Sequence, residues 1–256
     1  MLIDTHAHIN FDAYDADRPD MIRRAFDAGV ERIVCIGMMP EGGRSALALA
    51  RQYPGKVYCS VGIHPYDADQ YSDQVIAEME TLLREPEMVL CGEMGIDTFK
   101  CKIPLDIQKQ AFAAQLKLAT RANKGVCIHC RDAFPIVREV LETTGVPPRG
   151  GFAHCFSDGP EEALAWVKLG FKVSFAGQVT FKNAEKLREA VKALRPEDIV
   201  VETDCPYLAP DPHRGKRNEP AYVAHTASKL AAIWDMDVAE VRRITGANAR
   251  KVLGIG

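Results

Sequence analysis

A (β/α)8 barrel is the fold class this sequence predicts, on three observations. Its 256 residues suit one α/β barrel. Short apolar runs alternate with helix-like runs from one end to the other. No G-x-G-x-x-G and no phosphate-loop motif turns that alternation toward a doubly wound nucleotide-binding sheet.

The candidate strands are Leu2–Ile3, Ile33–Ile36, Val57–Val61, Met88–Cys91, Val126–Ile128, Phe152–Ala153, Phe171–Phe175 and Ile199–Val201. They are short and do not alternate strictly, as parallel strands covered on both faces should be. The longest helical segment runs from Pro104 to Lys124, with Leu105, Phe112, Leu116 and Ala119 spaced to share a face and Gly125 as its stop. Pro160 opens another, with Glu161 and Glu162 in its first turn and Gly170 at its end. Near the C-terminus, Asp237 and Glu240 have capping-box spacing. Trp166 and Trp234 read as packing residues. With no low-complexity linker, composition shift or short repeat, residues 1–256 form one expected domain.

Composition narrows the function classes. The chain is 47% hydrophobic and 26% charged, ordinary for a globular protein. A net charge of -3 is not that of a non-specific nucleic-acid binder, although it allows a local basic patch. The eight cysteines lie mostly in or just after strand-like runs, which predicts reduced thiols and a cytoplasmic location. The first residues predict no signal peptide, and no apolar run reaches the roughly 18 residues a membrane span needs. No membrane association and no obligate protein partner are expected.

The ionisable residues carry the chemistry. The chain has seven His. His6 and His8 follow the first run, Glu93 the fourth, His129 the fifth, His154 the sixth and Asp204 the eighth. In a barrel all strands point one way, so these residues converge at the C-terminal mouth. Imidazoles and carboxylates gathered there make a metal site. His6 and His8 stand two apart, which puts both on one face of an extended strand. Asp4 stands in that relation to His6, and Glu202 to Asp204, so either carboxylate is a candidate to orient a ligand from behind. Taken singly, each residue has an ordinary alternative: a hydrogen-bonded strand-end His, a surface carboxylate, a helix cap. All of them together at five strand ends is improbable. Cys127 and Cys130 form a C-x-x-C, but no second pair accompanies it, and no redox or zinc role is assigned to it.

Six ordered segments then carry a family resemblance. They are Asp4-Thr5-His6-Ala7-His8, Gly62-Ile63-His64-Pro65, Gly92-Glu93-Met94-Gly95-Ile96-Asp97, His129-Cys130-Arg131-Asp132-Ala133, His154-Cys155-Phe156-Ser157 and Glu202-Thr203-Asp204-Cys205-Pro206-Tyr207-Leu208. From residue 3 to about 250 the chain resembles a TatD-type hydrolase, a branch of the amidohydrolase superfamily. The resemblance implies a (β/α)8 barrel with two divalent ions. By the family pattern, His6, His8 and Asp204 hold one ion, His129 and His154 the other, and Glu93 bridges them. It also implies metal-dependent deoxyribonuclease activity, including removal of nucleotides from DNA ends. Cys130 stands where Ser is common, Asp158 where Gly is common and Ile96 where Leu is common; none of these is in the implied ligand set.

Two adjacent ions suit phosphodiester hydrolysis, because they acidify a bridging water and stabilise phosphoryl charge. Asp204 is the expected general base. The nitrogen-rich ligand set favours Zn, Mn, Fe, Co or Ni over Mg, although family nucleases are often assayed with Mg. For phosphate contact, the run His213-Arg214-Gly215-Lys216-Arg217-Asn218 follows the eighth strand, and Arg214, Lys216 and Arg217 are its cations. His64 and Arg131 also stand where substrate would meet them. DNA is the expected substrate. The competing readings are hydrolysis of a small amide, lactone or phosphoester, and a metal- or nucleic-acid-binding protein without turnover.

Overall fold

The computed structural model describes residues 1–256. Its strands and helices alternate as β1 (Leu2–Ala7), α1 (Arg18–Asp27), β2 (Val30–Cys35), α2 (Met39–Ala50), β3 (Val57–Val61), α3 (Asp73–Leu82), β4 (Met88–Asp97) and α4 (Leu105–Arg121). There follow β5 (Gly125–Arg131), α5 (Phe134–Thr144), β6 (Gly151–Ala153), α6 (Pro160–Lys168), β7 (Phe171–Phe175), α7 (Glu185–Ala193), β8 (Ile199–Val201), α8 (Val223–Trp234) and α9 (Val238–Leu253). The eight strands pair in chain order, all parallel, so every strand ends at the same face. The circle closes between β1 and the segment after β8: His8 N–H donates to Cys205 O and Asp204 N–H to His6 O, both at 2.9 Å. This is the predicted (β/α)8 barrel.

All eight predicted strands are present, and the differences lie at their ends. β1 continues to Ala7, β4 to Asp97 and β5 to Arg131. His6, Glu93 and His129 are therefore inside the last turns of strands rather than after them. Polar residues at the ends of apolar runs look like loop; here the β4–β5 ladder continues from Met94↔Ile128 to Asp97↔Arg131 and keeps them in the sheet. The α4 stop also differs. Asn123 takes the left-handed conformation (φ 51°) that ends the helix, and Gly125 is the first residue of β5. Asp237 caps α9 by accepting from Ala239 and Glu240 N–H, but Glu240 turns to Arg243 instead of completing a box.

Most of the core lies between strands and helices, with Phe112, Leu116, Trp166 and Phe171 fully covered. A smaller cluster joins Ile3, Val34, Cys127, Phe152 and Val200 to Ala249, Val252 and Leu253 of α9. Val252 abuts Gly125 at the start of β5, and Gly246 abuts Met1 before β1. Helix α9 thus crosses the N-terminal openings of the strands and seals the barrel at the end away from the ionisable residues. No helix is long and apolar enough to cross a membrane.

Candidate metal centre

Glu93 owes its position to an irregular strand. One extra residue enters β4 between Cys91 and Met94, a bulge that re-aims the side chain at the barrel axis. Gly92 (φ 138°) lies in the bulge beside Glu93, and Gly95 (φ 149°) follows it. A Cβ at Gly95 would collide with the His129 carbonyl oxygen, so glycine lets β4 lie close enough to β5 for Glu93 to meet His129.

Around Glu93 the imidazoles converge. Its Oε1 lies 2.8 Å from His129 Nδ1, 3.5 Å from His64 Nε2 and 3.7 Å from His154 Nε2. Its Oε2 lies 3.4 Å from His6 Nε2. His6 Nε2 and His8 Nε2 face each other at 3.2 Å, and Asp204 Oδ1 lies 3.4 Å from His8 Nε2 and 3.7 Å from His6 Nε2. The structure therefore brings all six candidate ligands to one small volume. The donor set fits a divalent cation: the groups His6–His8–Glu93 and His64–Glu93–His129 each present ligand atoms within 4.8 Å of one another. Asp204 holds its place through a left-handed backbone (φ 55°), a conformation an Asp tolerates and one found disproportionately at active sites.

Carboxylates stand behind two of the imidazoles. Glu202 Oε1 lies 2.8 Å from His154 Nδ1 while accepting from Cys155 N–H, and its Oε2 accepts from the Ser174 hydroxyl at 2.6 Å. Asp97 Oδ2 lies 3.0 Å from His129 Nε2, and its Oδ1 accepts from the N–H groups of Phe99, Lys100 and Cys101. Sequence reasoning missed Asp97. Its signal is an even spacing from Glu93, but it lies beyond the apolar run that ends at Cys91, where a strand is no longer expected. Asp4 plays a different part from the one expected: it reaches no imidazole. It accepts from His6 N–H, Thr203 N–H and the Thr203 hydroxyl, tying β1 to the turn after β8. Behind His6 Nδ1 is the Cys127 thiol, at 3.3 Å. His8 Nδ1 is buried without a partner.

These neighbours set the charges. Burial opposes ionisation of Glu93, but His154 and His64 hold it well below the usual carboxylate range. Burial likewise opposes a charged Asp204, yet His8, His154 and His6 keep it low. His154 is raised to about 10: burial works against its cation and is outweighed by Glu202 and Glu93. His129 is raised too, by Asp97 and Glu93 against burial. His6 is lowered, by burial first and by His154 second. Burial pushes Asp4 up to about 8.

The predicted substrate contacts are placed unevenly. His64 belongs to the cluster itself, 3.3 Å from His129. Arg131 lies over the Phe99 ring at 5.0 Å. Arg214 lies over the Phe181 ring at 4.3 Å, and Lys216 is exposed. Arg217 is committed within the protein: it donates to Ala13 O and to Asp17 Oδ2 and lies over the Tyr14 ring. Asn218, fully buried, ties this loop down by donating to Thr203 O and Tyr207 O.

The family described as TatD related DNase matches residues 3–254. An uncharacterized metal-dependent hydrolase from Bacillus subtilis, YabD, is 40% identical over 100% of both chains. A protein named 3'-5' ssDNA/RNA exonuclease TatD, from Shigella flexneri, is 32% identical over 99% of both. Among solved structures, the TatD homologue YjjV from Escherichia coli superposes with a TM-score of 0.93 at 27% identity, covering 100% of this chain and 98% of that one.

Proposed function

This chain belongs to the TatD-related DNase family of metal-dependent hydrolases, and from that premise we propose that it hydrolyses phosphodiester bonds at the ends of DNA strands. The observation that carries the reading is Glu93, whose two oxygens are faced by imidazole nitrogens of His6, His64, His129 and His154. One carboxylate shared among so many nitrogens suits a site for two divalent ions, with His6, His8 and Asp204 for one, His129 and His154 for the other, and Glu93 between. When bound, such ions acidify water and neutralise charge developing on phosphoryl oxygens. The Shigella relative's name, an exonuclease of single-stranded DNA and RNA, supports a nucleic-acid substrate.

The protein's own groups supply the rest. Asp204 is held low enough to be a carboxylate at neutral pH, and its Oδ1 faces the centre, so it can take the proton of an attacking water. Asp97 hydrogen-bonds the ring of His129 and fixes the direction of the nitrogen aimed at the centre, while Glu202, 2.8 Å from His154 Nδ1, acts on His154 as a close charge partner. Arg131, Arg214 and Lys216 at the mouth are the cations free to meet phosphates. The eight free thiols fit a reducing compartment, and we assign the reaction to the cytoplasm.

One assay tests the reading: purified protein with Mn or Mg on single-stranded DNA, duplex DNA and a simple phosphodiester, with a chelator control and the Asp204→Asn variant. The expected result is chelator-sensitive loss of DNA, with turnover down about 10²–10⁴-fold in the variant. Hydrolysis of a small ester or lactone alone would replace the nuclease reading. Inactivity on every substrate would leave a binding protein.

A further inference from the structure

Aromatic side chains at the mouth of the barrel break the pattern of the rest of the molecule. The chain has ten Phe, seven Tyr and two Trp. Only Tyr66, Phe99 and Tyr207 are exposed among them, at 47%, 55% and 56%. All three lie in segments that leave the C-terminal ends of strands, after β3, β4 and β8. Exposing an aromatic ring forfeits its burial, and gathering such rings at one face marks a binding surface.

Two of the three straddle the metal centre. The Tyr207 ring lies 6.4 Å from that of His8, on the β1–β8 side. The Tyr66 ring lies 4.5 Å from His64 and 6.4 Å from His129, on the β3–β5 side. Tyr66 is fixed at its edge, where its hydroxyl donates to Asp97 Oδ2 at 3.1 Å. Tyr207 is held through its backbone, its carbonyl accepting from Asn218. Phe99 differs, because Arg131 and Lys100 lie over its ring. It steadies a cation at the rim.

We propose that Tyr66 and Tyr207 stack the two bases on either side of the scissile phosphate, so that the site takes an unpaired strand end. A base inside a duplex has both faces covered by its neighbours and offers none to a tyrosine; an unpaired one does. Flat rings on opposite sides of the centre, with Arg131 on Phe99 beside them, match a phosphate flanked by two bases. The rings recognise any base, because each has a π-face, and set strandedness rather than sequence. This inference rests on the nucleic-acid reading above.

The test compares oligothymidylate with an abasic strand of the same length, which carries the phosphates without the bases. Binding is measured for the wild type, for Tyr66→Leu with Tyr207→Leu, and for the matching Phe variants; metal content and melting temperature confirm that each is intact. The wild type should prefer thymidylate by about tenfold or more, the scale of base–aromatic stacking. The Leu pair should lose that preference while keeping its affinity for the abasic strand, and the Phe pair should retain it. If the wild type binds and cleaves thymidylate but the Leu pair behaves identically, the stacking role is wrong and the nuclease reading stands. Equal wild-type affinity for both strands also overturns stacking. If the wild type binds neither strand, the nucleic-acid reading falls and the inference falls with it.

Discussion

The two halves of the candidate centre are built differently. On the β4–β6 side, His129 and His154 each have a carboxylate behind the ring, Asp97 and Glu202. On the β1–β8 side, His6 has the Cys127 thiol behind it, and His8 Nδ1 has nothing. The charges follow. His129 and His154 are raised, while His6 is lowered. Without metal, His154 keeps its proton at neutral pH and His129 holds its proton more tightly than a free imidazole, whereas burial makes His6 release its proton more readily. One barrel mouth therefore gathers two groups of candidate ligands with unequal support behind their rings and unequal proton affinity.

Removing the group the halves share should have the largest effect. Glu93→Gln should lose metal from both halves and reduce turnover by on the order of a thousandfold, read by elemental analysis and kinetics. Retention of both ions would break the account of Glu93 as the shared ligand. Next come the groups behind the rings. Glu202→Gln and Asp97→Asn should each weaken metal binding about 10–100-fold. Cys127→Ala should cost less, because a thiol polarises an imidazole less than a carboxylate does. Equal losses in a calorimetric titration would erase the difference between the halves.

Proton release sharpens the comparison further. Imidazole must lose its proton to coordinate. His154, raised to about 10, must release one on metal binding at any pH below that value, and His6 need not at neutral pH. Metal affinity on the β4–β6 side should therefore rise with pH through the neutral range, measurable as a buffer-dependent binding heat. The sign reverses for the metal-free protein. A raised His154 stabilises the fold fully below its unfolded value of about 6.5, and that contribution is lost as pH rises through about 10. Melting temperature without metal should fall over that interval, while metal affinity climbs. The smallest effect concerns the basic run. Lys216→Ala should reduce the salt slope of DNA binding by about one, whereas Arg217→Ala, whose guanidinium is held by Asp17, should leave it unchanged.

The same contrast explains what could be read in the sequence. Apolar runs in alternation with helical patterns located every strand, because parallel barrel strands are buried on both faces and stay hydrophobic. The six candidate ligands could be found because they sit where those runs stop. Asp97 was hidden because a glycine-containing bulge carries β4 past its apolar stretch. Asp4 has the spacing of a partner for His6, yet the register shifts in β1 turn it to Thr203. Arg217 reads as a free cation until Asp17, distant in sequence, is brought beside it. Spacing finds neighbours along one strand, while contacts between strands depend on register, which a single sequence does not display.

The most direct measurement is a Mn titration of metal-free protein, counting ions bound per chain while following cleavage of a single-stranded oligonucleotide. The account predicts that two ions bind and that turnover appears only as the second is taken up. Full turnover in the metal-free protein, or with a single ion per chain, would contradict it.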